Sequence, residues 1–148
     1  MTLDEVQRHK SAGNVRKLLK ATKDKDQEVR RAAALALGDL QARQAAGRVS
    51  ELLVSDPDDF VRSAAARALE RIADPAAVPR LEWSLENDQD RFVRKCAASA
   101  LGACGPAAVP PLRRASAPDS HGGDSDGMVR EAAVRALARI DDPAARKA

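Results

Sequence analysis

Apolar residues recur along this chain at helical intervals. In residues 59–72, "DFVRSAAARALERI", Val61, Ala65, Ala68, Leu69 and Ile72 fall at i, i+4, i+7, i+8 and i+11, one stripe of an α-helix. The same stripe runs from Val29 to Leu40, from Val93 to Cys104 and from Val129 to Ile140. The phrase that carries it is written four times: "DKDQEVRRAAALAL" from Asp24, "DPDDFVRSAAARAL" from Asp56, "DQDRFVRKCAASAL" from Asp88 and "DSDGMVREAAVRAL" from Asp124. The spacings are 32, 32 and 36 residues, and the shared pattern is Asp-x-Asp-x-x-Val-Arg-x-x-Ala-x-x-Ala-Leu. The second Asp of each copy (Asp26, Asp58, Asp90, Asp126) is placed to cap the helix, its carboxylate accepting from the free N–H groups of the first turn.

Shorter helical segments lie between these copies: "GNVRKLLKATK", "AGRVSELLVS", "DPAAVPRLEWSLEN" and "GPAAVPPLRRASA". Two open on Asp-Pro or Gly-Pro, which starts a helix where N–H partners are missing anyway. Ahead of them, Thr2 and Glu5 stand at capping-box spacing and predict a short helix over 2–10. The unit is therefore a pair of antiparallel helices, and one pair alone cannot bury its apolar stripes. Stacked pairs can. This predicts an all-α, right-handed α-solenoid, a single domain over 1–148, with repeats at about 11–41, 42–73, 74–105 and 106–142. "DDPAARKA" at the end reads as the opening of a further first helix, from either a longer array or a flank left for a partner.

Composition agrees with close helix packing: 44% hydrophobic residues, much of it alanine, only 2% aromatic, and no tyrosine. A net charge of +3 is too mild to imply nucleic acid, and Glu28, Asp59 and Glu131 dilute the basic side chains. Cys96 and Cys104 sit eight apart on one predicted helix, roughly 12 Å, too far for a disulfide. Cys104 shares the column of Leu40, Ile72 and Ile140 and reads as a small core residue. Without an apolar leader or a long apolar run, the expectation is a soluble, cytoplasmic protein.

These features resemble HEAT repeats, in the short HEAT-like form of the phycobilin-lyase type. Asp24, Asp56, Asp88 and Asp124 match the inter-helix Asp of that family, and Arg30, Arg62, Arg94 and Arg130 match the Arg of its Val-Arg pair. The resemblance covers about residues 11–142. The signatures of two other helical repeats of similar length, ankyrin and tetratricopeptide, are missing. Each Arg lies in the first turn of its helix, within reach of turn carboxylates of its own or the neighbouring repeat, so the eight residues are expected to form a structural ladder.

The resemblance implies that the second helices line a concave surface. On that implication the column Glu28, Phe60, Phe92, Met128 faces a groove, with Arg31, Leu35, Ser63, Arg67, Lys95, Ser99, Glu131 and Arg135 further along the same faces. The phenylalanines either complete the core between repeats or form an exposed apolar ridge beside basic side chains, as in a protein-binding patch. Trp83 is expected on the convex side or in a helix seam. "PDSHGGDSDG" at 118–127 reads as a mobile loop, and its "DSDG" lacks the distal Glu of a calcium loop.

No catalytic constellation is legible: the only histidines are His9 and His121, and the repeated His-Glu pairs of HEAT-type di-iron hydroxylases are absent. No cofactor or metal is expected. The function expected from sequence is a non-catalytic module binding a protein or peptide on its concave face, as a monomer or a weak oligomer through open ends. The alternatives are a phycobilin-lyase-like subunit of an enzyme complex and, with less support, a nucleic-acid-binding HEAT-like protein.

Overall fold

The computed structural model describes residues 1–141. The described residues form nine α-helices and no strand: α1 (Leu3–Ser11), α2 (Val15–Ala21), α3 (Gln27–Asp39), α4 (Ala46–Ser55), α5 (Asp59–Ile72), α6 (Val78–Asn87), α7 (Arg91–Gly102), α8 (Val109–Ser116) and α9 (Gly127–Asp141). Short 3₁₀ turns at Arg43–Ala45, Pro75–Ala77 and Pro106–Ala108 lead into α4, α6 and α8. Local chemistry sets these starts. Thr2 Oγ1 accepts from the Glu5 N–H at 3.1 Å, and Asn14 caps α2 through the Lys17 N–H at 3.2 Å.

Each first helix (α2, α4, α6, α8) packs on the second helix that follows it (α3, α5, α7, α9), and the pairs stack in chain order. The second helices press closely on one another along the stack, whereas successive first helices touch far less. The first helices therefore form the looser layer of the stack, and the second helices α3, α5, α7 and α9 the tightly packed one. Their approach depends on small residues. A Cβ on Gly38 would stand 2.7 Å from Ala68 Cα, and one on Gly102 would stand 2.9 Å from Ala136 Cβ. The fold is an α-solenoid whose N-terminal flank is covered by α1, which packs on α2 and α3.

The core is continuous from end to end. Val29, Val61, Val93 and Val129 are buried on the second helices, Leu37, Leu69 and Leu101 lie behind them, and Leu18, Leu53, Leu85 and Leu112 face them from the first helices. Cys104 is buried in the same core.

The segment after α8 is more ordered than its composition predicts. Asp119–His121 forms a 3₁₀ turn ended by Gly122 at φ 86°, and the chain folds back so that the Asp124 N–H donates to the Ala115 carbonyl at 3.1 Å. Gly123 is required here, because any Cβ would run into the Ala117 carbonyl. The four extra residues are thus absorbed in a hydrogen-bonded turn. The end of "DDPAARKA", from 142 on, lies outside the described residues.

Candidate functional site

The inter-helix turns are built alike. In each, the first Asp accepts the N–H of the second through Oδ1: Asp26 to Asp24 at 2.9 Å, Asp58 to Asp56 at 3.0 Å, Asp90 to Asp88 at 2.9 Å and Asp126 to Asp124 at 2.9 Å. The second Asp then caps the helix, accepting from Glu28, Phe60, Phe92 and Met128 N–H groups at 2.7–2.9 Å. The Met128 N–H holds the Asp126 carboxyl below its usual range, and the Asp26 N–H, with the Met1 ammonium, does the same for Asp24.

The Arg of each turn reaches two repeats at once. Arg62 Nη1 donates to the carbonyl of Asp56 in its own turn at 3.0 Å, while Nε and Nη2 donate to the Asp88 carboxylate of the next at 2.9 and 3.3 Å. Arg30 makes the same fork to Asp56, and Arg94 to Asp124, each with its closest contact at 2.9 Å. The Asp56 and Asp88 side chains are 4% exposed, so these forks sit where water is largely excluded. Asp24, at the start of the series, is met instead by the Met1 ammonium at 2.9 Å.

On the second-helix layer, Phe60 is 60% exposed, Phe92 52% and Met128 37%. All three stand in the first turn of their helices, along one rim of that layer. Arg31 of α3 stacks over the Phe60 ring at 5.5 Å, and Arg91 over the Phe92 ring at the same distance. Glu28 continues the rim and is exposed; Leu35 is half-buried against the core. Ser63 is turned to its own helix, donating to the Phe60 carbonyl at 3.1 Å. Lys95 and Ser99 are half-buried on α7, and Arg67 is exposed on α5. On α9, Arg135 pairs with Glu131 at 2.7 Å, so neither presents a lone charge.

The opposite rim, at the C-terminal ends of the same helices, carries ion pairs that no local pattern announced. Lys10 pairs with Asp39 at 2.8 Å and Arg71 with Asp39 at 3.5 Å. Arg139 of α9 pairs with Glu70 of α5 at 2.9 Å. Arg67, Glu70, Arg71 and Arg139 line a depression of about 490 Å³ beside this rim. On the first-helix layer, Arg114 bridges Glu82 at 2.6 Å and Glu86 at 3.0 Å, and Trp83 is 49% exposed.

Reactive groups are muted. Burial pushes the Cys104 thiol up to about 11 and raises that of Cys96. Among the described residues no group of three or more His, Cys, Asp or Glu could hold a metal ion, and no helix is long and apolar enough to cross a membrane.

A family model described as HEAT repeats matches residues 15–102 and 48–122, and one described as PBS lyase HEAT-like repeat matches 129–148. Among solved structures, the chain is similar to one from the complex of CpcE and CpcF of phycocyanin lyase from Nostoc sp. PCC7120, at 28% identity and a TM-score of 0.72. The match covers 95% of this chain and 58% of that one, so this chain spans little more than half its length. Two engineered proteins are similar at 27% and 26% identity, with TM-scores of 0.59 and 0.60. These matches cover 95% and 96% of this chain and 67% and 41% of theirs. No match is found among curated proteins.

Proposed function

The chain belongs to the HEAT-repeat family, and from that premise we propose that it is a non-catalytic binding module which holds a protein or peptide in its concave groove. The observation that carries this reading is the rim formed by Phe60, Phe92 and Met128. In a chain with three aromatic residues, two lie in one exposed column that core packing does not require. Each ring lies beside a guanidinium, so the rim offers apolar area and positive charge together. That combination suits a segment with apolar side chains flanked by carboxylates.

The test is affinity capture from the native cell with the wild-type chain and with Phe60→Ala/Phe92→Ala, read by quantitative mass spectrometry. The double variant keeps its helical signal, because both rings are solvent-facing, and loses the specific partner; Trp83→Ala keeps it. Retention of the partner by the double variant removes the groove from consideration.

A second reading, a HEAT-like subunit of a two-subunit enzyme complex, is favoured by the similarity to the phycocyanin lyase chain and by the PBS lyase repeat over 129–148. On this reading the captured partner is a second solenoid subunit, and chromophore attachment needs both chains. Attachment by this chain alone would contradict both readings.

A further inference from the structure

A furrow crosses the first-helix layer from α2 over α4 to α6. Two depressions make it, one of about 470 Å³ between α2 and α4 and one of about 280 Å³ between α4 and the start of α6, and they share Gly47 and Glu51 of α4. Both lie in internal seams of the stack, between consecutive helix pairs. Gly47 is the floor where they meet, with nothing within 4 Å of the place its Cβ would take. The same second position of α6 and of α8 carries the ring of Pro79 or Pro110.

Four cations, Lys20, Lys23, Arg48 and Arg80, line the furrow against the single carboxylate of Glu51. Arg48 is fixed in place: Nε donates to Thr22 Oγ1 at 3.0 Å, Nη2 to the Thr22 carbonyl at 3.1 Å and Nη1 to Glu51 at 3.1 Å. Thr22 is wholly buried, so this guanidinium is pinned to the end of α2. Lys20, Lys23 and Arg80 are exposed, and among the described residues none of the three meets a carboxylate. The next seam shows what a guanidinium on this layer takes when acid is within reach. There Arg114 of α8 bridges Glu82 and Glu86 of α6.

We propose that this furrow binds a short acidic segment of a partner protein, its carboxylates on Lys20, Lys23 and Arg80 and its main chain over Gly47. Charge selects the class of occupant, and the small residues Gly47, Ala76 and Ala77 leave room for an extended main chain. Neighbouring helix axes lie about 8–10 Å apart, so α2 to α6 is roughly 16–20 Å, the reach of about five or six extended residues. The basic track stops there, because Glu82 and Glu86 follow Arg80 on α6. A phosphate backbone gains from a long basic track and from aromatic platforms for its bases. This furrow has neither, and Leu19 is its one large apolar residue. The chain's own residues 142–148 are not such a segment, with Asp142 their one acidic side chain against Arg146 and Lys147. The inference rests on the first-helix layer alone and is independent of the Phe60–Phe92 rim.

The probe is a fluorescein-labelled hexaglutamate peptide, titrated with the full chain at low ionic strength and read by fluorescence anisotropy. Saturable binding is expected, weakened at least about tenfold by Lys23→Glu/Arg80→Glu but less than about twofold by the equal charge reversal Arg67→Glu/Arg113→Glu outside the furrow. Gly47→Leu fills the floor without changing charge and is expected to weaken binding by about tenfold as well. Lys23, Gly47 and Arg80 are exposed, so these variants keep their helical signal and urea midpoint, and lost binding is not lost folding. Phe60→Ala/Phe92→Ala binds the probe as the wild type does. Absence of saturable binding, equal loss in the two charge reversals, indifference to Gly47→Leu, or loss in the phenylalanine variant overturns the proposal. Tighter binding of an oligothymidylate of equal charge, with the same response to the variants, overturns the assigned occupant in favour of nucleic acid.

Discussion

Replacing Arg62 by Ala removes four hydrogen bonds: two to the Asp88 carboxylate at 2.9 and 3.3 Å, and two to the carbonyls of Asp56 and Pro57 at 3.0 and 3.3 Å. What is left behind decides the magnitude. The Asp88 side chain, 4% exposed, keeps only the Asp90 N–H as a partner and remains a buried, uncompensated charge. Breaking a fully buried pair from one side costs about 3–5 kcal/mol. Arg62 is 18% exposed, and water can enter the vacated space, so roughly 2–4 kcal/mol is expected here. In a chain of this size that lowers the melting temperature by roughly 5–15 °C. Arg62→Lys keeps the charge but not the fork and should fall between. Exposed Arg67→Ala should stay within about 0.5 kcal/mol. Urea unfolding followed by far-UV circular dichroism measures all three, and the cycle with Asp88→Asn isolates the pair, with a coupling of at least about 1 kcal/mol expected. The reasoning fails if Arg62→Ala behaves like Arg67→Ala or if the coupling is zero. In either case the forks would follow from the stacking instead of fixing it.

Gly38→Ala forces a Cβ to within 2.7 Å of the Ala68 backbone and should destabilise by about 1–3 kcal/mol, whereas Gly47→Ala, with nothing within 4 Å on α4, should stabilise by about 0.5–1 kcal/mol; denaturant midpoints give the two signs. Burial holds the Cys104 thiol up at about 11, so at pH 8 iodoacetamide should label the half-buried Cys96 well before Cys104, and peptide mass spectrometry that finds Cys104 labelled first would refute this. Burial works to raise the Asp90 carboxyl, but the Val93 N–H, a hydrogen bond with the Asp59 carboxyl, the Phe92 N–H and Arg62 together outweigh it, so its folded value, like those of Asp24 and Asp126, is depressed. Depressed carboxylates contribute stability that is full above the unfolded value of about 3.9 and is lost as pH falls through the folded one. The urea midpoint should hold from pH 7 to 5 and drop by pH 3; an unchanged midpoint would show that these caps add nothing.

The second helices were legible because their signals are local. Valine and leucine recur at helical spacing, and an Asp caps each start within two residues of the N–H it accepts. Which carboxylate each Arg takes was not legible, since its own turn and the next are equally near in composition. The answer lies in how the repeats stack, with the carboxylate 26 or 30 residues on. The exposure of Phe60 and Phe92 was undecidable for the same reason. A ring one position off the core stripe either leans on the next helix or stands free according to the crossing of two helices. The Arg31–Phe60 stack joins neighbouring repeats, and Glu70–Arg139 joins residues 69 apart. The glycines of the 118–127 loop suggested looseness, yet Gly123 is there because the backbone turns back on Ala117 too closely for any side chain.

The Glu70–Arg139 pair makes the two edges of the second-helix layer mechanically unequal. An array joined only between neighbours behaves as a row of soft springs, each joint yielding independently and the compliances adding along its length. A tie from the second repeat to the fourth places two joints in parallel with a third element, stiffening the C-terminal edge while the phenylalanine edge keeps its full give. The tie is itself modest, a partly exposed pair of about 0–1 kcal/mol that salt screens. At low ionic strength the superhelix should therefore flex by splaying its apolar edge about a nearly fixed hinge line. As salt rises, the hinge slackens and the whole curve is free to straighten.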